Sequence, residues 1–151
     1  MPQTAFSTYC AALLHLQTGY ISFLPLSSSS SSEERTERLD KAVAENPSLP
    51  LPVSPKSVYR LAHLLSLDDL QYLALIAFED SLSVENAAKE LFSDISIAYD
   101  ELRKVILRFI ETNWNEVKKT ATWTEQLAKI QAEEMPEAAP VLVEVLNLMA
   151  R

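Results

Sequence analysis

Glycine is almost absent from this sequence, which contains one, Gly19, among 151 residues. Sandwich folds and the loops that cradle phosphate groups both use glycine at positive φ, so both kinds of structure are disfavoured. Leucine, alanine and glutamate are abundant instead, and these residues favour helices. The sequence therefore predicts a mainly α protein with at most one or two short strands.

Cysteine, basic clusters and long apolar runs are also scarce. Cys10 is alone and has no internal disulfide partner, which is typical of the cytosol or nucleus. Thirteen basic against 21 acidic residues give a net charge of −8, without the basic patch that nucleic acid requires. Neither a membrane-spanning run nor a signal peptide is recognisable. We expect a cytoplasmic and/or nuclear protein that binds neither nucleic acid nor membranes.

Catalytic and metal-binding patterns are missing as well. His15 and His63 have no cysteine or acidic neighbour at the spacing of metal ligands. Asp68 and Asp69 are adjacent and diverge around a helix, which suits capping better than paired acid–base chemistry. Cys10 lies on an apolar helix face, where a buried, inert thiol is expected. The sequence predicts no enzymatic activity, no cofactor and no metal.

Helical spacing of apolar residues predicts an array of about seven helices with short connections. These segments are 6–17, 54–65, 66–82, 83–92, 97–113, 122–134 and 136–149. Thr18-Gly19 ends the first helix, and Tyr20–Leu24 is compatible with one short strand near residues 20–24. Trp114 and Trp123 fall near helix ends, so each is either a core residue or a contact residue.

Residues 25–53 have the composition of an insertion. Six serines, Ser27–Ser32, precede a charge-mixed stretch and a proline-spaced one, which indicates a flexible segment or phosphorylated serines. A helix over Glu33–Glu45, capped by Ser32, is compatible with the charged stretch.

The centre of the pattern is Tyr72–Phe78, seven residues without a polar side chain. A helix that is apolar all round is expected to be surrounded by other elements, so Leu75 and Phe78 should be fully buried. Ser66 and the acids that follow it predict a Ser-x-x-acid start for this helix.

The chain has the order of helix, Thr-Gly turn and strand, and then the segments SVYRLAHLLSLDDLQYLALIAFEDSL and SVENAAKELF. With this order it resembles the second half of a BTB/POZ domain, followed by the 3-box, which is the start of a BACK domain. It is closest to fungal BTB proteins and speckle-type POZ adaptors. Residues 1–82 would be the C-terminal part of the BTB/POZ domain, interrupted at 25–53. Residues 83–151 would be the 3-box/BACK-like region.

The resemblance implies a protein–protein interaction module, an adaptor that links a substrate to a cullin-type ubiquitin ligase. Residues that match the family's cullin-contacting helices are Tyr59 in the helix after the insertion, and Val84, Asn86 and Glu90 in the 3-box helix. The protein partners implied are a cullin scaffold or other BTB proteins.

The family's first half, with its dimerisation helix and three-stranded sheet, has no counterpart in this sequence. Family-style dimerisation is therefore not expected. The alternative interpretation is a truncated BTB paralogue or fragment that acts as a structural or regulatory partner of other BTB proteins without binding the ligase.

Overall fold

The structure, a computed structural model, describes residues 3–29 and 31–151, with side chains from Phe6 onward. The described chain is mainly α, as the sequence predicts, with ten α-helices rather than about seven. They form two compact units, the first ending at Ser81 and the second starting at Leu82. The sequence-based boundary lies after Leu82. That the units belong to BTB/POZ and BACK-like domains stays a prediction.

The first unit contains α1 (Gln3–Thr18), α2 (Ser32–Glu45), α3 (Pro55–Leu64) and α4 (Asp68–Asp80). The second contains α5 (Ala87–Leu91), α6 (Asp94–Ala98), α7 (Asp100–Thr112), α8 (Trp114–Val117), α9 (Ala121–Gln131) and α10 (Ala139–Met149), the last preceded by a 3₁₀ turn at Pro136–Ala138.

The core of the first unit is centred on α3, which packs against both α4 and α1. The side chains buried here are apolar and recur every three or four positions along each helix. They are Ala11 and Ala12 of α1, Val58, Tyr59, Leu61 and Ala62 of α3, and Leu70, Ala74 and Phe78 of α4. The helix α3 thus supplies the central layer.

Gly19 ends α1 as the sequence predicts. Its φ is 75°, and its N–H donates to the carbonyl of His15 over 2.7 Å. Ser54 is the N-cap of α3 and Pro55 its first residue, a position that suits proline, although the Ser54 side chain makes no cap hydrogen bond. Gly19 thus marks the end of the helix before the insertion, and Ser54-Pro55 marks the start of the helix after it.

The predicted Ser-x-x-acid start of α4 is wrong. The N-cap is Leu67, and no side chain caps the helix. Ser66 instead lies in the turn that ends α3, with φ 56°, and the Leu67 N–H donates to Ala62 O over 2.8 Å. This is the left-handed position that helix ends usually give to glycine, so serine here carries backbone strain.

We expect Ser66→Gly to raise the free energy of unfolding by about 0.5–1 kcal/mol, because glycine adopts this φ without strain. Urea denaturation followed by circular dichroism measures the change. The control is Ser57→Gly inside α3, where the same substitution should lower the free energy of unfolding by about 0.5 kcal/mol. A loss of stability on Ser66→Gly would contradict the strained-turn interpretation.

The two ends of the insertion are joined to each other by backbone hydrogen bonds. Phe23 and Val53 form an isolated parallel bridge, in which Leu24 N–H donates to Val53 O and Val53 N–H to Ser22 O, over 2.9 and 3.0 Å. The predicted short strand is thus a single bridge, and its partner is the far end of the insertion. Ser30, part of the predicted flexible serine run, lies outside the described residues.

Within the insertion, α2 is capped by Ser31 rather than by Ser32. The Glu34 N–H donates to Ser31 Oγ, and the Glu34 carboxylate accepts from the Ser31 N–H, which completes a capping box. No residue of α2 is fully buried. The helix is therefore stabilised locally, with few core contacts.

In the second unit, α5 packs against α7 and α9, and α7 also contacts α6, α8 and α10. The buried face of α7 consists of Leu102, Val105, Ile106 and Ile110, which recur at helical spacing. Val141 and Val145 are the buried residues of α10. An amphipathic helix, α7, thus forms the centre of this unit.

By its spacing Arg103 lies outside the apolar face of α7, yet its side chain is only 13% exposed. Its guanidinium donates to Ser96 O and Ile97 O near the end of α6, and it forms ion pairs with Asp100 and with Glu144 of α10. Burial alone lowers the pKa of Arg103, and the bonds to Glu144 and Asp100 outweigh burial and raise it. Arg103 therefore joins three helices as a permanent cation.

Candidate functional site

The helix α4 has one buried face, although its sequence is apolar all round. Phe78 is fully buried, as predicted, together with Leu70 and Ala74. Leu75 is only half-buried, and Tyr72 is 64% exposed. The prediction that other elements surround this helix is therefore wrong. A run without polar residues carries no periodic signal to show which side is open.

The open side of α4 presents three large apolar side chains, Tyr72, Leu73 and Ile76. At 100° per residue they lie on one half of the helix, opposite Phe78 and Ala74. Exposed acidic residues stand at both ends of the same half, with Asp68 and Asp69 in the first turn and Glu79 and Asp80 in the last. The open face is thus an apolar strip between two negative ends.

The helix α1 also turns apolar side chains to the outside. Its buried residues are the small Thr8, Ala11 and Ala12. Phe6 is 69% exposed, and Leu13 and Leu16 are exposed by more than half. Small side chains permit close approach to α3, and the larger ones remain on the outer face.

The last turn of α1 and the first turn of α4 line one cleft. His15 and Leu16 line a cleft of about 510 Å³ together with residues 66–70. We call the set formed by Phe6, Leu13, Leu16, Tyr72, Leu73 and Ile76 the α1–α4 apolar surface. Groups of exposed large apolar side chains mark candidate interaction sites. This surface is the candidate functional site.

The four residues that match the family's cullin contacts lie in a different environment. Tyr59, Asn86 and Glu90 are each buried, and Val84 is half-buried. Asn86 caps the turn before α5, since its Oδ1 accepts from Ser83 N–H over 2.8 Å and its own N–H donates to Ser83 Oγ. In this conformation Val84 is the most accessible of the four, and their contact role stays a prediction.

The two tryptophans pack against each other in the second unit. Trp123 is buried, and Trp114 packs edge-on against it with ring centroids 5.1 Å apart. Phe92 approaches Trp123 from another side, at 5.9 Å. Aromatic pairs in such geometries stabilise a core beyond their buried area. Of the two alternatives that the sequence left open, the core role holds for Trp123.

Neither a group of metal ligands nor a membrane-spanning helix is found among the residues that the structure describes. No group of three or more His, Cys, Asp or Glu residues there is placed to hold a metal ion. Cys10 is half-buried rather than buried as expected. Gln71 Nε2 lies 3.3 Å from Nδ1 of His63. Across the described ranges, every helix is too short or too polar to cross a lipid bilayer.

Comparison with protein-family models, with curated proteins and with solved structures gives no match for this chain. The resemblance to the BTB/POZ and 3-box pattern therefore rests on the residues quoted above. The geometry of the α1–α4 apolar surface is independent of that resemblance.

Proposed function

We propose that this protein is a protein–protein interaction module whose docking surface is the α1–α4 apolar surface. The observation that carries the proposal is the exposure of large apolar side chains on two helices of one unit, Phe6 on α1 and Tyr72 on α4 among them. Exposed apolar area costs free energy in water, and a partner that covers it recovers about 25 cal/mol per Å².

Within this class, the resemblance supports an adaptor that links a substrate to a cullin-type ubiquitin ligase. Such a protein acts in the cytoplasm and/or nucleus and needs no cofactor. The cullin scaffold would contact the helices of the BTB-like and 3-box-like regions, with Tyr59, Val84, Asn86 and Glu90 as the candidate residues. Of these, the half-buried Val84 is the one that a partner reaches without rearrangement.

The second candidate is a structural or regulatory partner of other BTB proteins that does not bind the ligase. Two observations favour it. Three of the four candidate cullin contacts are buried, and the exposed apolar residues lie at other positions. A partner that covers the α1–α4 apolar surface would therefore contact residues other than the four that match the family's cullin-contacting helices.

A binding experiment in which this protein is immobilised and captures a purified partner tests both candidate functions. Purified cullin scaffold and a purified full-length BTB protein are offered separately. We expect capture of at least one, and we expect Leu13→Gln with Leu16→Gln to weaken it more than about tenfold, because two exposed leucines leave the interface.

The matched control is Val143→Gln with Leu146→Gln on α10, where two exposed apolar residues lie in the second unit. This variant should bind like the unchanged chain, and circular dichroism should show the same helix content for all three proteins. Capture of the cullin scaffold alone supports the adaptor. Capture of the BTB protein alone supports the regulatory partner, and capture of neither overturns the proposal.

A further inference from the structure

We infer that the open face of α4 is a docking site for a partner helix that has an apolar stripe and a basic residue near each end. The inference rests on the proposed function and specifies the chemistry of the partner. It depends on two features of α4 together, the exposed strip of Tyr72, Leu73 and Ile76 and the acidic pairs at its ends.

The charge distribution on α4 has one sign only. The helix contains four acidic residues and no basic one. None of the four forms an ion pair or a side-chain hydrogen bond within residues 3–29 and 31–151. The acids are thus uncompensated charges around an uncovered apolar strip.

The acids of the last turn are the more informative pair. Asp68 and Asp69 stand at the positive end of the helix dipole, which stabilises them and explains their position. Glu79 and Asp80 stand at the negative end, where a carboxylate is unfavourable and a lysine or arginine is expected. No basic residue of the described chain forms an ion pair with either carboxylate. A cation from a partner would.

The spacing of the pairs sets the size of the partner. Residues 68 and 79 are separated by about 16 Å along the helix axis, or three turns. A partner helix that follows the strip therefore carries basic residues about eleven positions apart, with apolar residues at every third or fourth position between them. Acids at both ends accept such a helix in either direction.

A second copy of this chain is a poor occupant of the α4 face. Two α4 helices in contact would bring acidic pairs together in either orientation, within a chain of net charge −8. The α1 helix of another copy offers apolar residues, but residues 1–32 contain no lysine or arginine to approach the acids. The charges of α4 point to a basic partner instead.

The experiment uses the whole chain and three synthetic amphipathic peptides with a fluorescent label. The first has a leucine stripe and a lysine pair at each end, three turns apart; the second has glutamates at the ends; the third keeps the lysines and replaces the leucines by glutamine. Fluorescence anisotropy should show that the first peptide binds at least about tenfold more tightly than either of the others.

Variants of the chain separate the two contributions. Tyr72→Gln with Ile76→Gln should abolish binding of the first peptide. Glu79→Gln with Asp80→Asn should weaken it about fivefold and reduce its dependence on salt. Val143→Gln with Leu146→Gln on α10 is the control and should leave it unchanged. Unchanged thermal unfolding shows that these surface variants fold.

The failures are distinguishable. If the lysine-ended and glutamate-ended peptides bind equally and Ile76→Gln weakens both, the apolar docking surface stands and the basic partner is overturned. If sedimentation shows self-association that Tyr72→Gln with Ile76→Gln removes, a second copy occupies the face, and the inference is likewise overturned. If none of the peptides binds, the inference of a basic partner helix is overturned. The capture experiment with whole proteins then decides the proposed function separately.

Discussion

Phe78→Ala is expected to lower the free energy of unfolding by about 3–5 kcal/mol. The Phe78 side chain is completely buried on the inner face of α4, and removing the ring leaves a cavity that its neighbours fill only in part. Since small domains are stable by about 5–15 kcal/mol, this single change removes a large share of the total. Urea unfolding followed by circular dichroism measures the loss.

The control lies on the same helix. Tyr72→Ala removes a comparably large aromatic side chain from the open face, and should change the free energy of unfolding by less than about 0.5 kcal/mol. The pair therefore tests which side of an all-apolar helix is covered. Equal losses at the two positions would mean that α4 is enclosed, as its sequence predicts, and would remove the basis of the proposed docking surface.

Trp123→Ala should have an effect of similar size, about 3–5 kcal/mol, in the second unit. The substitution removes the ring that contacts both Trp114 and Phe92, so two aromatic pairs are lost together with the buried area. Denaturant unfolding measures the stability. The remaining Trp114 provides a fluorescence probe, whose emission should shift to longer wavelength when its partner ring is absent.

Thr124→Ala, at the adjacent exposed position of α9, is the matched control and should be neutral within about 0.5 kcal/mol. A Trp123→Ala protein that is as stable as the unchanged chain would show that the tryptophan is a surface contact residue. That was the other alternative left open by its place near a predicted helix end.

Much of the fold follows from local signals in the sequence. Gly19 ends α1 because it is the one residue that takes a left-handed conformation freely, and Ser54-Pro55 starts α3 because proline suits a first helical position. The buried face of α7 follows from a regular apolar period, with Ile106 and Ile110 among its members. Each signal acts over a few residues, so it can be identified without tertiary information.

The candidate site was harder to predict, for physical reasons. In α1 the small Ala11 and Ala12 face the core and the large Phe6 faces solvent, because close helix packing favours small side chains over the most apolar ones. In α4 the apolar run is unbroken, so there is no alternation of polar and apolar residues to show which side faces solvent. The sequence therefore indicates a helix but not its open side. The spacing of Arg103 places it on the polar side of α7. Its side chain is nevertheless shielded from solvent, because it pairs with Glu144, which is distant in the sequence.

The bridge between Phe23 and Val53 has a consequence for how this chain tolerates change in length. Because the two ends of the insertion meet at one hydrogen-bonded point, lengthening its exposed part changes the closure entropy only slowly, as the logarithm of its length, whereas the buried Leu26 has to be kept. α2 contributes no fully buried side chain that such an alteration would uncover. The exposed helix α2 is thus a natural place to graft a tag or a reporter.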